Sequence, residues 1–177
     1  MSKSTRVINI LAGPGCGKST TAARVFCELK VRGLNAELTN ETAKWYTYEE
    51  NFRMIPNQLK LFAEQQNQIF RLRDKVDYII MDSPLILSAI YDIEQSQELR
   101  NLVLYEHNKL NNLTYFINRE TEYQEEGRYH NLEQAVGVDN QILNFLDEYN
   151  INYERVSLHD VVNKIIEDLN LDGTTTL

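Results

Sequence analysis

A chain of 177 residues with a formal net charge of −8, 42% apolar and 25% charged, has the composition of one globular domain and not of a disordered segment. It is too short for two ordinary domains, and no apolar run approaches the ~20 residues of a membrane span. The acidic balance matches a long phosphate backbone poorly. It favours a small anionic substrate and leaves a nucleic-acid acceptor as the less favoured alternative.

In chain order, Val7 to Leu11 is a short apolar run of the kind that forms a buried parallel strand, and it starts too early to leave room for a signal peptide. Thr21 to Arg32 has helical spacing and stops at Gly33. Leu34 to Thr39 reads as a second strand, and residues 41 to 53 are mixed and rich in aromatics. The spacing predicts a helix over Asn57 to Arg73, a strand from Val76 to Met81 stopped at Pro84, and a helix from Glu94 to Asn111. Leu113 to Ile117 is a fourth strand, and Asn118 to His130 a polar segment suited to a lid. A helix capped by Asn131 runs to Tyr149, Ile151 to Val156 is a fifth strand, and Leu158 to Leu169 a last helix before a frayed tail over 171–177. Strands alternating with helices predict a single α/β domain over 1–177, with a five-stranded parallel sheet between two helical layers.

The segment Ala12-Gly13-Pro14-Gly15-Cys16-Gly17-Lys18-Ser19-Thr20 joins the first strand to the first helix. Strand, glycine loop and helix start, in that order, are the context in which G-x-x-x-x-G-K-[ST] binds phosphate. Glycines let backbone N–H groups turn toward a polyphosphate, and the helix start adds its dipole. Gly13 to Thr20 are therefore the expected nucleotide-binding residues, with Lys18 on the β- and γ-phosphates and Ser19 on Mg²⁺. Ala12 stands where the strict motif has glycine, which costs little if that residue is extended. The competing reading is a glycine turn without a ligand. Cys16 and Cys27 lie 11 residues apart, about 16 Å along a helix, too far to bond, so reduced thiols and a cytoplasmic location are expected.

Ligands of parallel sheets bind at the carboxyl ends of the strands. Asp82, at one such end, is expected to hold Mg²⁺ or accept a proton, unless it only caps the next segment. Glu41 and Lys44 follow the second strand and face the acceptor, or form an i,i+3 ion pair. Trp45 and Tyr46, with Tyr48 and Phe52, form a wall for a planar base or belong to the core. Arg119 and Arg128 flank the lid, where they neutralise a phosphoryl group in flight or make surface ion pairs. The three histidines have no metal-ligand partners at useful spacing and read as packing or surface residues.

The chain resembles the P-loop kinases related to ribosylnicotinamide kinase and the similar AAA-type ATP-binding kinases. The resemblance rests on Gly13 to Thr20, Glu41-Thr42-Ala43-Lys44, Met81-Asp82-Ser83-Pro84, and Glu125-Glu126-Gly127-Arg128-Tyr129 with Glu133 and Ala135. In that family the residue at the place of Lys44 is usually arginine. The resemblance implies an ATP- and Mg²⁺-dependent kinase acting on a nucleoside- or nucleotide-like molecule, as monomer or homodimer. A polynucleotide kinase, for which Arg71, Arg73 and Lys75 would seed a basic stripe, and a nucleotide-gated binding module are the alternatives. In the latter, Gln65, Gln66 or Gln68 would orient water, if they are not simply a polar helix face.

Overall fold

In the computed structural model, which describes residues 4–120 and 132–171, five parallel strands form one sheet. They are β1 (Arg6–Leu11), β2 (Ala36–Thr39), β3 (Tyr78–Met81), β4 (Asn111–Ile117) and β5 (Glu154–Val156). The helices are α1 (Lys18–Val31), α2 (Thr42–Tyr48), α3 (Gln58–Leu72), α4 (Ile86–Ile90), α5 (Gln97–Asn108), α6 (Leu132–Glu148) and α7 (Val161–Asp168). The expected α/β sandwich is present. Two of these helices, α2 and α4, were not resolved by the sequence pattern. The tail from residue 172, Asn131, His130, Arg128 and most of the expected lid lie outside the described residues.

Alternation along the strands explains the layering. Ile8 and Ile10 of β1 point with Ile80, Tyr115 and Ile117 toward α1 and α7, where they meet Ala22, Val25, Leu29, Val161 and Ile165. Val7, Leu11, Ile79, Met81 and Phe116 point the other way, toward Phe62, Ile69, Ile86, Val103, Ile142 and Leu146. Both faces are covered, so the inner strands read as continuous apolar runs. Truncating such a fully buried residue, Leu29→Ala for example, costs about 2–5 kcal/mol.

One polar residue interrupts the central strand. Buried Asn9 donates from Nδ2 to Asn112 Oδ1 at 2.9 Å and to Thr114 Oγ1 at 3.4 Å, and Asn112 in turn donates to the His107 carbonyl at 2.7 Å. The chain of bonds engages the buried Asn9 amide group and ties β1 to β4 in the register Asn9–Thr114.

Strand order is β2-β3-β1-β4-β5. After β1 the chain leaves to one side, and after β3 it crosses to the other. Such a reversal opens a crevice at the carboxyl end of the central strand. The loop from Ala12 to Gly17 sits at that end of β1, and Asn40, Asp82 and Asn118 follow the neighbouring strands β2, β3 and β4.

His107, on the last turn of α5, is buried and its pKa falls to about 4 because burial disfavours the imidazolium. The unfolded chain takes up this proton near pH 6.5 and the folded chain only near 4, so its contribution to stability is complete above 6.5 and is lost on acidification through that window. Across the whole window the loss is about 3 kcal/mol. Thermal midpoints measured from pH 7.5 to 5 should fall more steeply in the wild type than in His107→Gln. Equal slopes would contradict this assignment.

Candidate functional site

The site starts from the backbone between β1 and α1. Ala12 is fully buried and continues the core, and it is not among the residues with positive φ, so the missing glycine there is accommodated without strain. The turn is made later. Gly15 and Gly17 adopt left-handed backbone, with φ of 84° and 82°. Gly17 precedes the first residue of α1, and a Cβ on it would lie 2.9 Å from Leu158 Cδ1. The conformation disfavours a side chain there, and one would also displace the end of Leu158. No side chain caps the N-terminus of α1, so its leading N–H groups stay directed into the loop.

Lys18 opens the helix, and its ammonium donates to the carbonyls of Ala12 at 2.9 Å and Gly13 at 3.3 Å, folding back over the loop it belongs to. Ser19 and Thr20 are exposed at the helix start. Gly13 is held from outside. Its N–H donates to Asp139 Oδ1 of α6 at 2.6 Å, and Asp139 Oδ2 accepts from Arg119 Nε at 2.7 Å. Arg119 Nη2 donates onward to the Pro14 carbonyl at 3.0 Å. Arg119 thus follows β4 as expected, but its guanidinium is engaged with a carboxylate and the loop. The pair is almost wholly buried, and removing one partner of such a pair costs on the order of 3–5 kcal/mol.

On the acceptor side, Glu41 ends the turn after β2 and precedes α2. Burial raises its pKa above the ordinary glutamate value; Lys18 and Lys44 oppose the rise and Asp82 adds to it. The charges that act on Glu41 thus include the loop lysine and the carboxylate that follows β3. Asp82 itself is buried, and its Oδ1 finds no hydrogen-bond partner among the described residues. A buried carboxylate oxygen without a partner, at the carboxyl end of β3, suits a divalent cation. Among the described residues no cluster of three or more His, Cys, Asp or Glu side chains could hold a metal unaided. Mg²⁺ fits this arrangement only with phosphate oxygens completing its shell, which is its usual habit.

Three features escaped the sequence reading. Gln65 and Gln68 of α3 are engaged with the turn after β2: Gln65 Nε2 and Gln68 Nε2 donate to the Asn40 carbonyl, and Gln68 Oε1 accepts from the Asn40 N–H. They fix the turn that carries Glu41. Gln66 reaches Glu106 of α5 instead. Tyr91, at the end of α4, has its pKa pushed up to about 12 by burial and by the carboxylates of Glu41 and Asp139, so its phenol stays protonated beside both. Nothing local in the sequence marks it. Asp139 did leave a signal, because it falls in the buried stripe Ala135, Val138, Asp139 and Ile142 of α6, where a carboxylate needs a partner.

The aromatics divide. Tyr46 donates its hydroxyl to Glu64 at 2.8 Å under the Lys60 ammonium and belongs to the α2–α3 packing. Trp45 and Tyr48 are 58% and 70% exposed with ring centroids 6.2 Å apart, and Phe52 is also exposed. They are not core residues, and α2 buries none of its side chains. Lys44 is exposed on the same helix. Arg128 lies outside the described residues.

A family model described as AAA domain matches residues 7–164. No curated protein matches the sequence. Among solved structures, deoxyadenosine kinase from M. mycoides, with products dCMP and a flexible dCDP bound, is similar at 17% identity and a TM-score of 0.59, over 93% of this chain and 98% of that one. The NadR protein in complex with NR is similar at 16% identity and a TM-score of 0.65, over 98% of this chain. This chain spans about half, 52%, of NadR. At these identities the likeness establishes a shared P-loop kinase fold. Among the described residues no helix is long and apolar enough to cross a membrane.

Carbon-13 NMR of the carboxylates should find Glu41 titrating above an ordinary glutamate. Lys44→Met should move it higher and Asp82→Asn lower, following the charges each removes. A Glu41 value at or below the ordinary one would refute the arrangement.

Proposed function

Because this chain belongs to the AAA domain family, we propose that it is an ATP- and Mg²⁺-dependent kinase that phosphorylates a hydroxyl or phosphate of a nucleoside- or nucleotide-like small molecule. The observation that carries the reading is the convergence of Lys18, Glu41 and Asp82 at the carboxyl ends of three adjacent strands. A phosphate loop with one carboxylate beside it would suffice for binding alone. The second carboxylate, on the acceptor side and kept from full solvation, supplies a proton acceptor.

In this reading the amides of Gly13 to Thr20 and the Lys18 ammonium hold the donor's terminal phosphates. The Ser19 hydroxyl and the bare Asp82 oxygen would hold Mg²⁺, which offsets phosphate charge when bound. Glu41 orients the acceptor hydroxyl and takes its proton as the oxygen bonds to the γ-phosphorus and ADP departs. Its raised pKa places it nearer the operating pH than a solvated carboxylate. Trp45 and Tyr48 offer exposed ring faces for a planar base beyond Glu41, with Lys44 and the Tyr46 ring on the same helix. Phosphoryl transfer asks mainly for position and charge, which these groups supply. The protein acts in the cytoplasm as a monomer or homodimer.

A small acceptor is favoured over a polymer by where the basic residues lie. Arg71, Arg73 and Lys75 sit at the end of α3, just before the start of β3, so they lie at the opposite end of the strands from the phosphate loop. Arg73 is also paired with Asp74 at 3.7 Å.

ADP release measured against a panel of nucleosides, nucleotides and ribosylnicotinamide should rise with at least one acceptor and fall at least a hundredfold in Lys18→Ala. Transfer retained by Lys18→Ala would refute the assignment. Slow hydrolysis indifferent to every acceptor would favour a nucleotide-gated binding module instead.

A further inference from the structure

We propose that Arg119 and Asp139 are positioning residues: together they clamp the first turn of the phosphate loop from the α6 side and thereby set the amides and the Lys18 ammonium that receive the donor nucleotide. The inference rests on the donor-binding reading above for its consequence, and on geometry alone for its cause.

Gly13 is gripped on both of its polar groups. Its N–H donates to Asp139 Oδ1 at 2.6 Å, and its carbonyl accepts from Lys18 Nζ at 3.3 Å. The next carbonyl, of Pro14, accepts from Arg119 Nη2 at 3.0 Å. The two members of one ion pair therefore hold adjacent residues of the loop, one through an N–H and one through a C=O. Arg119 Nη2 also lies 3.4 Å from the Ala135 carbonyl, one turn earlier on α6, which joins the clamp to the helix backbone.

The fit leaves no slack. A Cβ built on Gly13 would lie 2.6 Å from Asp139 Oδ1, 2.8 Å from the Ala135 carbonyl and 3.2 Å from Arg119 Nη2. Position 13 is glycine because the clamp occupies the volume of a side chain. Stability does not account for the pair, since apolar residues of similar volume commonly serve a buried stripe as well or better. What apolar residues cannot do is hold an N–H and a C=O at fixed points. Fixing Gly13 also stations Lys18, whose ammonium rests on the Ala12 and Gly13 carbonyls.

The clamp assigns Arg119 a role different from neutralising the transition state. A guanidinium touching the phosphoryl group would leave MgATP affinity largely intact when replaced and lower kcat, and Asp139 would matter little. A clamp predicts that both residues act alike, on the donor side, through the loop.

Amide hydrogen exchange of the nucleotide-free protein should be compared in wild type, Asp139→Asn and Arg119→Gln. Asparagine keeps the acceptor for the Gly13 N–H but loses the charge that holds Arg119. Exchange in residues 13–17 should quicken at least tenfold more than that of the β1 and β3 amides in both variants. In steady-state kinetics the KM for MgATP should rise at least tenfold with the acceptor KM within twofold. Arg119→Lys should not rescue, because one ammonium does not reproduce the forked contacts. Unchanged loop exchange, exchange raised equally through the sheet, or a fall in kcat at constant MgATP KM would overturn the proposal. Quickened loop exchange in a protein that never binds MgATP would uphold the clamp and reject the kinase reading.

Discussion

The chain must turn, within the few residues between Leu11 and Lys18, from a strand with no exposed surface into a helix that packs back on the same sheet. Everything at the site follows from how that turn is made. Gly15 and Gly17 turn the chain through left-handed backbone, a conformation from which successive N–H groups can form an anion-binding concavity. The outward groups of Gly13 and Pro14 are taken up by Asp139 and Arg119, and the Lys18 ammonium closes over the carbonyls. The loop is held by partners on α1, α6 and the segment that follows β4.

The acceptor side is built by the same logic with less rigidity. Gln65 and Gln68 secure both polar groups of Asn40, so Glu41 leaves a fixed point while the helix behind it stays almost free of tertiary packing. A firm carboxylate beside a loosely packed helix with exposed rings can serve acceptors of differing shape. The donor side, by contrast, is locked at every turn. This asymmetry fits an enzyme with one constant substrate and one variable one.

The strands were legible because each inner one is buried on both faces: Tyr78–Met81 is an apolar run, and Val7–Leu11 is one but for Asn9. The phosphate loop was legible because its chemistry demands particular residues at particular spacing. α2 has no buried residue and so leaves no helical stripe, and α4 is a five-residue helix too short for a period to register. Asp139, Tyr91, Gln65 and Gln68 act through contacts 20 residues or more away in the chain, which no local pattern encodes. Asp139 alone betrayed itself, as an acid in an apolar stripe. Arg119 was found for its position after β4, whereas its partners could be named only once α6 was seen to pass the loop.

The central claim is that residues 13–20 enclose the terminal phosphates of a bound triphosphate. Thermal unfolding with and without MgATP tests it most directly. A ligand present at a hundred times its dissociation constant stabilises by about 2.7 kcal/mol, which in a domain of this size raises the midpoint by roughly 5–10 °C. The account predicts that rise with MgATP, its loss in Lys18→Ala, and a smaller one when Mg²⁺ is chelated. A midpoint unmoved by saturating MgATP would contradict it.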